Sequence, residues 1–191
     1  MIPDYQRLDE FTLPPGFRGR SAVVVQLWWL VQALLFAPSP QIMFAWRRFL
    51  LRLFGAKIGR DVKIRPSATV TYPWKLTIGD HSWIGDDSTL YSLGTIDIGA
   101  HAVISHKVYL CAGSHDYSKR GFDILSPNIT VGDQVWIAND VFVAPGVTIG
   151  AGAVIGARSS VFSDMPSGMV CKGSPAVSYK ERTIKAPAKR A

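Results

Sequence analysis

The chain has 191 residues, of which 48% are hydrophobic and 18% charged, so it is not intrinsically disordered and can bury one full core. The net charge of +7 suits an ordinary basic surface, an anionic ligand or an anionic membrane. No nucleic-acid-binding motif organises the basic residues, so nucleic acid is not an expected partner. Cys111 and Cys171 form no disulfide or zinc-finger pattern. Since residues 1–20 are polar and show no signal peptide, we expect a cytoplasmic protein.

The first 56 residues are predicted to form an arm and two helices. Polar residues 1–20 precede the apolar run Ala22–Ala37, which Pro38 and Pro40 end. This run is shorter than the ~20 residues that a membrane-spanning helix needs. A second helix is predicted over Gln41–Phe54.

This amino-terminal segment is basic as well as apolar. From Phe11 to Arg60 there are seven Lys or Arg residues and no Asp or Glu. Two interpretations stay open. The helices pack on the end of the domain or on a neighbouring subunit. Alternatively, residues 21–56 form a platform on a membrane surface, with apolar side chains at the acyl boundary and arginines on anionic head groups.

From Ile58 onward the sequence repeats every six residues. Each six begins with an aliphatic residue and has a small fifth residue, as in IGRDVK, IGDHSW and VGDQVW. This period fits neither an α-helix nor simple strand alternation. It fits a chain that turns a corner every six residues, with the first and fifth positions inside. Three such sides close a triangular coil, and stacked coils form a parallel β-helix.

The repeat has two kinds of irregularity. Coils start at Ile58, Ile78 and Ile98, twenty residues apart instead of eighteen, so two extra residues are expected to bulge at one corner. A loop over residues 115–130 then interrupts the repeat. A long loop that leaves a rigid coil is a common place for function, and histidine is suited to general base catalysis near neutral pH. His115, which opens the loop, is therefore a candidate catalytic residue; an incidental turn histidine is the alternative.

These features together resemble a known family. The sixes, the Ser-His element of the loop, VGDQVWIANDVFVAPGVTIGAGAVIGA and KGSPA are similar to the left-handed β-helix hexapeptide acyltransferases, in their galactoside and maltose O-acetyltransferase branch. RRFLLRLFGAKIG, TYPWKLTIGDHSWIGDD and YLCAGSHDYS resemble the acetyltransferases of colanic-acid-type exopolysaccharide biosynthesis. The resemblance implies an all-β solenoid, a left-handed parallel β-helix with an N-terminal helical segment. It also implies a homotrimer with active sites between subunits.

The resemblance also implies the chemistry. The co-substrate would be acetyl-CoA, and no metal would be required. His115 matches the catalytic histidine, which would take the proton of a sugar hydroxyl as that oxygen attacks the thioester. The oxyanion would need a hydrogen-bond donor. No covalent acetyl-enzyme is needed, so the nearby Cys111 need not be a nucleophile.

Further site residues follow by matching positions to the family. Trp136 matches a tryptophan that lines the groove near the acceptor and the pantetheine arm, with simple packing as its alternative role. Asn139 and Ala157 match positions beside the pantetheine arm, and Lys180 matches a basic position near the nucleotide end of CoA. Ser163 stands where the family usually has a lysine.

On the acceptor side the sequence departs from the galactoside enzymes. Positions that bind sugar there fall on Gly85 and Leu93. Asp86 and Asp87 lie close by and could bind sugar hydroxyls; solvated turn carboxylates are the alternative. We therefore expect the acceptor to be a sugar or lipid-linked oligosaccharide of an exopolysaccharide precursor, not a simple galactoside.

Two rival functions stay open. A zinc-dependent hydrolyase of the γ-carbonic-anhydrase type would use His81, His101 and His106 as ligands. A non-catalytic trimeric scaffold would use the solenoid as an interaction surface.

The predicted organisation is an arm with helices over residues 1–56, a β-helix acyltransferase domain over residues 57–176 and a basic tail over residues 177–191. The predicted location is the cytoplasm, with a peripheral position on the inner face of the cytoplasmic membrane as an alternative.

Overall fold

The structure, a computed structural model, describes residues 5–185; residues 1–4 of the predicted arm and 186–191 of the predicted tail lie outside the described residues. Both predicted helices are present. α1 spans Ala22–Val31 and continues as a π-helical turn over Gln32–Phe36, and α2 spans Phe44–Leu53. The hydroxyl of Ser21 caps α1 by accepting a hydrogen bond from the N–H three residues on. Within residues 5–185, no helix has the length and apolar character needed to cross a membrane.

The sixes form stacked coils with three short strands each, which confirms the predicted β-solenoid. The first three coils contain β1 (Lys57–Ile58), β2 (Lys63–Ile64), β3 (Thr69–Val70), β4 (Leu76–Ile78), β5 (Trp83–Ile84), β6 (Thr89–Tyr91), β7 (Ile96–Ile98), β8 (Val103–Ile104) and β9 (Tyr109–Cys111). After a hairpin of β10 (Ser114–His115) and β11 (Ile124–Leu125), two more coils contain β12 (Ile129–Val131), β13 (Trp136–Ile137), β14 (Phe142–Val143), β15 (Thr148–Ile149), β16 (Val154–Ile155) and β17 (Ser160–Val161). The last strands are β18 (Met169–Gly173) and β19 (Ala176–Glu181).

Each coil strand pairs in parallel with its equivalent one coil further on, and this pairing builds three faces. Sheet A holds β1, β4, β7, β12 and β15, sheet B runs from β2 through β5, β8, β13 and β16 to β18 and β19, and sheet C holds β3, β6, β9, β14 and β17. The solenoid therefore has three edges, A–B, B–C and C–A, where the chain turns from one face to the next.

Small fifth residues fill the narrow interior next to the aliphatic first residues. Ser82 and Ser88 occupy fifth positions and are fully buried. Their hydroxyls donate to the carbonyl oxygens of Gly99 and Ser105, at 2.7 and 2.8 Å. Since a buried hydroxyl must find a partner, these serines are tolerated because a neighbouring coil supplies one.

The edges turn at the fourth position of a six. That position has a positive φ in most sixes, a conformation that non-glycine residues seldom adopt. The fourth-position residues with positive φ are Asp61, His81, Asp87, His101, Lys107, Gln134, Asp140, Gly146, Gly152 and Arg158.

The predicted bulge of two extra residues per coil was wrong in its details. Leu76 and Ile96, the first extra residues, begin β4 and β7 and are 2% and 0% exposed. They stack in register with each other and with Ile129. The extra residues thus lengthen sheet A inward, because burying an aliphatic side chain stabilises the fold more than exposing it at a corner. In the first coil the C–A edge instead widens around a 3₁₀ turn over Pro73–Lys75.

Segments at both ends cap the solenoid. At the carboxyl end, β19 folds back and pairs antiparallel with β18, so that it covers the edge of sheet B. At the amino end, the fully buried guanidinium of Arg47 donates to the carbonyl oxygens of Ile64 and Gln41, both at 2.6 Å. Arg48 and Arg52 donate to carbonyl oxygens of the first coil as well. These three arginines satisfy the open edge of the first coil.

We predict that Arg47→Met lowers the free energy of unfolding by about 3 kcal/mol, because it leaves buried carbonyl oxygens without donors. Urea denaturation would measure the change. The control is Arg60→Met, since the side chain of Arg60 is 82% exposed in its ion pair with Asp80 and should contribute less than about 1 kcal/mol. Equal losses in the two variants would contradict the capping role of Arg47.

Candidate functional site

The predicted loop is a β-hairpin that projects from the C–A edge. Strand β10 pairs with β11, so that His115 lies opposite Ile124. The Ser118 hydroxyl and N–H donate to Oδ1 of Asp116 at 2.5 and 3.0 Å and lower the pKa of that carboxyl. The N–H of Arg7 in the amino-terminal arm donates to a carbonyl of the hairpin tip at 2.8 Å. The hairpin is therefore held at its base by strand pairing and at its tip by the arm.

The imidazole of His115 is held in one orientation. Its Nδ1 lies 2.7 Å from the carbonyl oxygen of Phe122. Because a carbonyl oxygen only accepts, Nδ1 carries the proton, and Nε2 of the neutral ring keeps its lone pair. The Phe122 ring stacks on the imidazole at 4.2 Å and 8°, and the Phe11 ring lies at 6.0 Å. His115 is thus half-buried, oriented and in the tautomer that a general base needs.

Phe122 contacts the candidate base His115 and was not among the residues that the sequence pointed to. Its φ of 52° places it in the left-handed region, which costs roughly 1–2 kcal/mol for a residue with a side chain. This conformation ends the turn in which the Phe122 N–H donates to the Lys119 carbonyl oxygen. The residue lies in the stretch without a six-residue period, so the sequence carries no periodic signal for it.

Cys111 lies near His115 in sequence, but the surroundings of its thiol do not favour a catalytic role. It donates to the Gly113 carbonyl oxygen at 3.2 Å. On the same face, burial raises the pKa of Tyr109 to about 12, so its phenol stays neutral. This is not the electropositive setting that activates a cysteine nucleophile.

A second group of predicted residues lies along the B–C edge and the adjoining part of sheet B. Trp136 lies between Val103 and Val154 on the neighbouring strands and is 47% exposed. Its Nε1 donates to the hydroxyl of Ser105 at 3.1 Å, which fixes the indole ring on the surface. Asn139 follows β13 at the edge, where its carbonyl oxygen accepts from the N–H of the residue after Ala157. Trp136, Asn139 and Ala157 are thus brought together.

Asp86 and Asp87 lie on the same edge, nearer the amino end. Oδ2 of Asp86 pairs with Nε of Arg65 at 2.7 Å, and its Oδ1 accepts from the Ser67 hydroxyl at 3.1 Å. Both oxygens of Asp86 therefore have partners, so this carboxylate is fixed in place. The Asp87 side chain is exposed, and its N–H donates to Ser67.

A groove of about 350 Å³, which Asp86 helps to line, lies between the start of α2 and sheet B. Trp83, which sequence reasoning missed, forms part of its wall and is 50% exposed. The Lys63 ammonium lies 4.7 Å from the centre of its indole ring. Trp83 and Trp136 flank Val103 across sheet B. Both tryptophans occupy the sixth position of their six, so the repeat itself could have indicated that Trp83 lies on the same face as Trp136. The groove is lined by Phe44, Lys63, Arg65, Trp83, Ile84, Gly85, Asp86, Val103, Ile104, Ser105 and His106.

The predicted site residues are not all brought together within one chain. His115 lies at the C–A edge, and Ser163, which follows β17, lies on the same edge two coils further on. Lys180 lies on β19 opposite Val170, at the end of sheet B. The whole width of sheet C separates His115 from the B–C edge that adjoins Trp136. The candidate base and the candidate groove residues therefore occupy two different edges of the solenoid.

The three candidate zinc ligands do not converge. His81 and His101 stack at the A–B edge with ring centres 5.0 Å apart, and Nδ1 of His81 is 3.7 Å from Asp61. His106 lies at the B–C edge, across sheet B. In the part of the chain that the structure describes, no group of three or more His, Cys, Asp or Glu residues could hold a metal ion.

Sequence comparisons give related proteins. The family model for the bacterial transferase hexapeptide (six repeats) matches residues 128–163. The protein named "Putative colanic acid biosynthesis acetyltransferase WcaF" of Escherichia coli K12 is 61% identical over 177 residues, which are 93% of this chain and 97% of that protein. The galactoside O-acetyltransferase of Escherichia coli K12 is 32% identical over 133 residues, which are 68% of this chain and 65% of that protein.

Solved structures share the fold. A galactoside acetyltransferase in complex with coenzyme A matches with a TM-score of 0.79 at 26% identity, over 96% of this chain and 92% of that one. A hexapeptide-repeat acetyltransferase of Vibrio cholerae O1 biovar eltor, complexed with acetyl-coenzyme A, matches with a TM-score of 0.77 at 25% identity. That match covers 87% of this chain and 92% of the other.

We predict that the neutral imidazole of His115 is protonated at Nδ1, because the Phe122 carbonyl oxygen accepts that proton. Long-range nitrogen–proton NMR correlation of isotope-labelled histidine would identify the tautomer, with His115→Gln to assign the signal. The exposed His106 is the internal control and should favour the Nε2–H form. A predominant Nε2–H form at His115 would contradict the hydrogen bond to Phe122.

Proposed function

Because this chain belongs to the hexapeptide-repeat acyltransferases, we propose that it transfers the acetyl group of acetyl-CoA to a sugar hydroxyl of an exopolysaccharide precursor. Three findings support this proposal: the identity of 61% with a colanic acid biosynthesis acetyltransferase, the fold shared with an enzyme bound to acetyl-CoA, and the oriented histidine. Acetyl-CoA is the co-substrate, and the transfer needs no metal.

In the proposed mechanism, the tautomer of His115 leaves Nε2 free to act as the general base. Nε2 takes the proton of the acceptor hydroxyl while that oxygen attacks the thioester carbonyl carbon. A tetrahedral oxyanion forms, and a hydrogen-bond donor must stabilise it. When the oxyanion collapses, the C–S bond breaks and the imidazolium returns its proton to the CoA sulfur. The products are the acetyl ester and CoA, and His115 is neutral again. The Phe122 carbonyl oxygen stabilises the transient positive charge through the Nδ1–H bond.

We place the active site between subunits of a homotrimer. His115 and Trp136 lie on surfaces that a single chain keeps apart, so a complete site needs the C–A edge of one subunit beside sheet B of the next. In that arrangement Trp136, Asn139 and Ala157 line the pantetheine arm. Lys180 lies toward the nucleotide end of CoA, and Ser163 comes from the edge that carries His115.

The acceptor is assigned to the groove beside Asp86 and Asp87. The exposed ring of Trp83 in the groove offers an apolar surface on which a sugar ring can stack. The exposed carboxylate of Asp87, next to the groove residue Asp86 in sequence, can accept hydrogen bonds from sugar hydroxyls. A lipid-linked oligosaccharide would meet the enzyme in the cytoplasm at the inner face of the membrane. Residues 57–176 then form the catalytic domain, and residues 1–56 lie beside the acceptor groove through Phe44.

We predict that His115→Ala lowers the rate of acetyl transfer at least about 100-fold, because general base catalysis contributes that much or more. The assay is CoA thiol release from acetyl-CoA in the presence of membranes from cells that lack the enzyme. The control is His101→Ala, which alters an exposed histidine of the A–B edge and should leave the rate unchanged. Full activity of His115→Ala would refute the mechanism, and loss of activity in His101→Ala would favour the zinc site.

A mixing experiment tests the shared site. His115→Ala and Trp136→Ala are each expected to be inactive, yet co-expression should restore activity. In randomly mixed trimers about one quarter of the subunit contacts join an intact His115 to an intact Trp136 across one heterologous interface. Thiol release should therefore recover to about a quarter of the wild-type rate. If the mixture stays inactive while size-exclusion and mass analysis show mixed trimers, the site lies within one chain.

A further inference from the structure

The helices at the amino end carry an apolar surface that the chain itself does not cover. Apart from the exposed Gln26, every residue of α1 is apolar, yet the helix buries only Val25 and Trp28. A helix of this kind normally lies in a core or against a membrane. We define the amino-terminal apolar face as the exposed side chains of Val23, Leu27, Trp29, Leu30, Leu34, Leu35, Ile42, Met43, Phe49 and Leu53.

This face is distinct from the face that packs on the solenoid. The Trp28 indole N–H donates to the Val70 carbonyl oxygen at 2.8 Å, and the Val70 N–H donates to Oε1 of Gln32 at 2.8 Å. Phe36 and Leu51 are fully buried on the same side. The core side of the helices is therefore complete, and Leu30, Leu34 and Ile42 remain 55%, 61% and 84% exposed. Large apolar side chains exposed together on one segment are typical of an interaction site.

The charges around the face favour an anionic partner. The chain has no Asp or Glu from Phe11 to Arg60. The arginines of α2 are engaged with carbonyl oxygens of the chain, whereas Arg20 is exposed and lines a groove between α1 and α2. This groove has a volume of about 470 Å³ and is otherwise lined by Val24, Leu27, Leu53, Phe54 and Gly55. A groove lined by apolar side chains and one guanidinium matches a lipid, whose acyl chain is apolar and whose phosphate is anionic.

We propose that the amino-terminal apolar face docks on the surface of an anionic phospholipid bilayer, with Arg20 at a lipid phosphate. α1 and its π-helical turn have 10 and 5 residues, which at 1.5 Å per residue is about 22 Å, less than the ~30 Å hydrocarbon core. They therefore lie in the interface plane. Contact with a second copy is disfavoured because a two-fold interface would join two basic segments without an acid to pair them.

This docking would hold the acceptor groove next to the bilayer, since Phe44 at the start of α2 lines that groove. An acceptor carried on a lipid would then reach the site without leaving the membrane. That consequence rests on the proposed function; the docking itself does not.

Flotation with vesicles of equal parts phosphatidylglycerol and phosphatidylcholine, without acetyl-CoA, tests the proposal. The wild-type chain should float with these vesicles. Leu30→Gln combined with Leu34→Gln should weaken binding at least about tenfold, because two apolar side chains no longer enter the acyl boundary. The control is Ile184→Gln, which changes a side chain that is 74% exposed outside the face and should bind like the wild type. Thermal unfolding of the double variant should match the wild type, since both side chains are exposed.

Arg20→Gln tests the electrostatic part. It should weaken binding to the phosphatidylglycerol vesicles about fivefold and leave partition to pure phosphatidylcholine vesicles unchanged. Lys107→Gln, an exposed change at the B–C edge, is the matched control and should have no effect.

Three results would overturn the docking. They are a wild-type chain that stays with the soluble fraction, a double Leu variant that floats equally well, and a double Leu variant with a smaller oligomer in sedimentation velocity, which would make the face a subunit contact. His115→Ala should float like the wild type. Failure of acetyl transfer and failure of docking are thus measured separately.

Discussion

The inward packing of one aliphatic residue in every six fixes where the rest of the solenoid lies. Ile58, Ile78, Ile98, Val131 and Ile149 stack in register on sheet A, so each coil inherits its position from the coil before. With first and fifth positions inside and fourth positions at the left-handed corners, the sixth position must point outward on the next face. The exposed rings of Trp83 and Trp136 on sheet B follow from this geometry, because the next residue of each strand points into the core and the tryptophan must point to the opposite side.

The amino-terminal helices depend on the same stack, because its first coil has an open edge. The carbonyl oxygens of Ile58, Val62 and Ile64 would lack donors there, and the arginines of α2 supply them. This explains why a basic helix is buried at Arg47, although charged side chains are seldom buried without partners. The hydrogen-bond donors of the α2 arginines are thus used within the chain, and the exposed apolar side chains of both helices are left as the feature that needs a partner.

The solenoid, its coil starts and both helices could be predicted from the sequence, because a six-residue period reports directly which positions are buried. The hairpin at residues 114–125 could not, because strand pairing across a loop leaves no period in so short a stretch. The role of Phe122 depends on a positive φ and on one carbonyl oxygen, neither of which its residue type reveals. The two extra residues per coil were expected to bulge outward because only the number of residues between coil starts was considered. Leu76 and Ile96 are instead buried, because their side chains are apolar.

The rigidity of the solenoid also limits where catalysis can occur. Its three faces meet at edges that cannot move toward one another, since each edge is fixed by parallel pairing to the coils on either side. A side chain at the C–A edge, such as His115, therefore cannot reach the B–C edge of its own chain. In the proposed mechanism, the groove that holds both His115 and the residues around Trp136 is therefore formed by two subunits. The proposed homotrimer supplies such a groove, because it brings together surfaces that a single chain presents on opposite sides of sheet C.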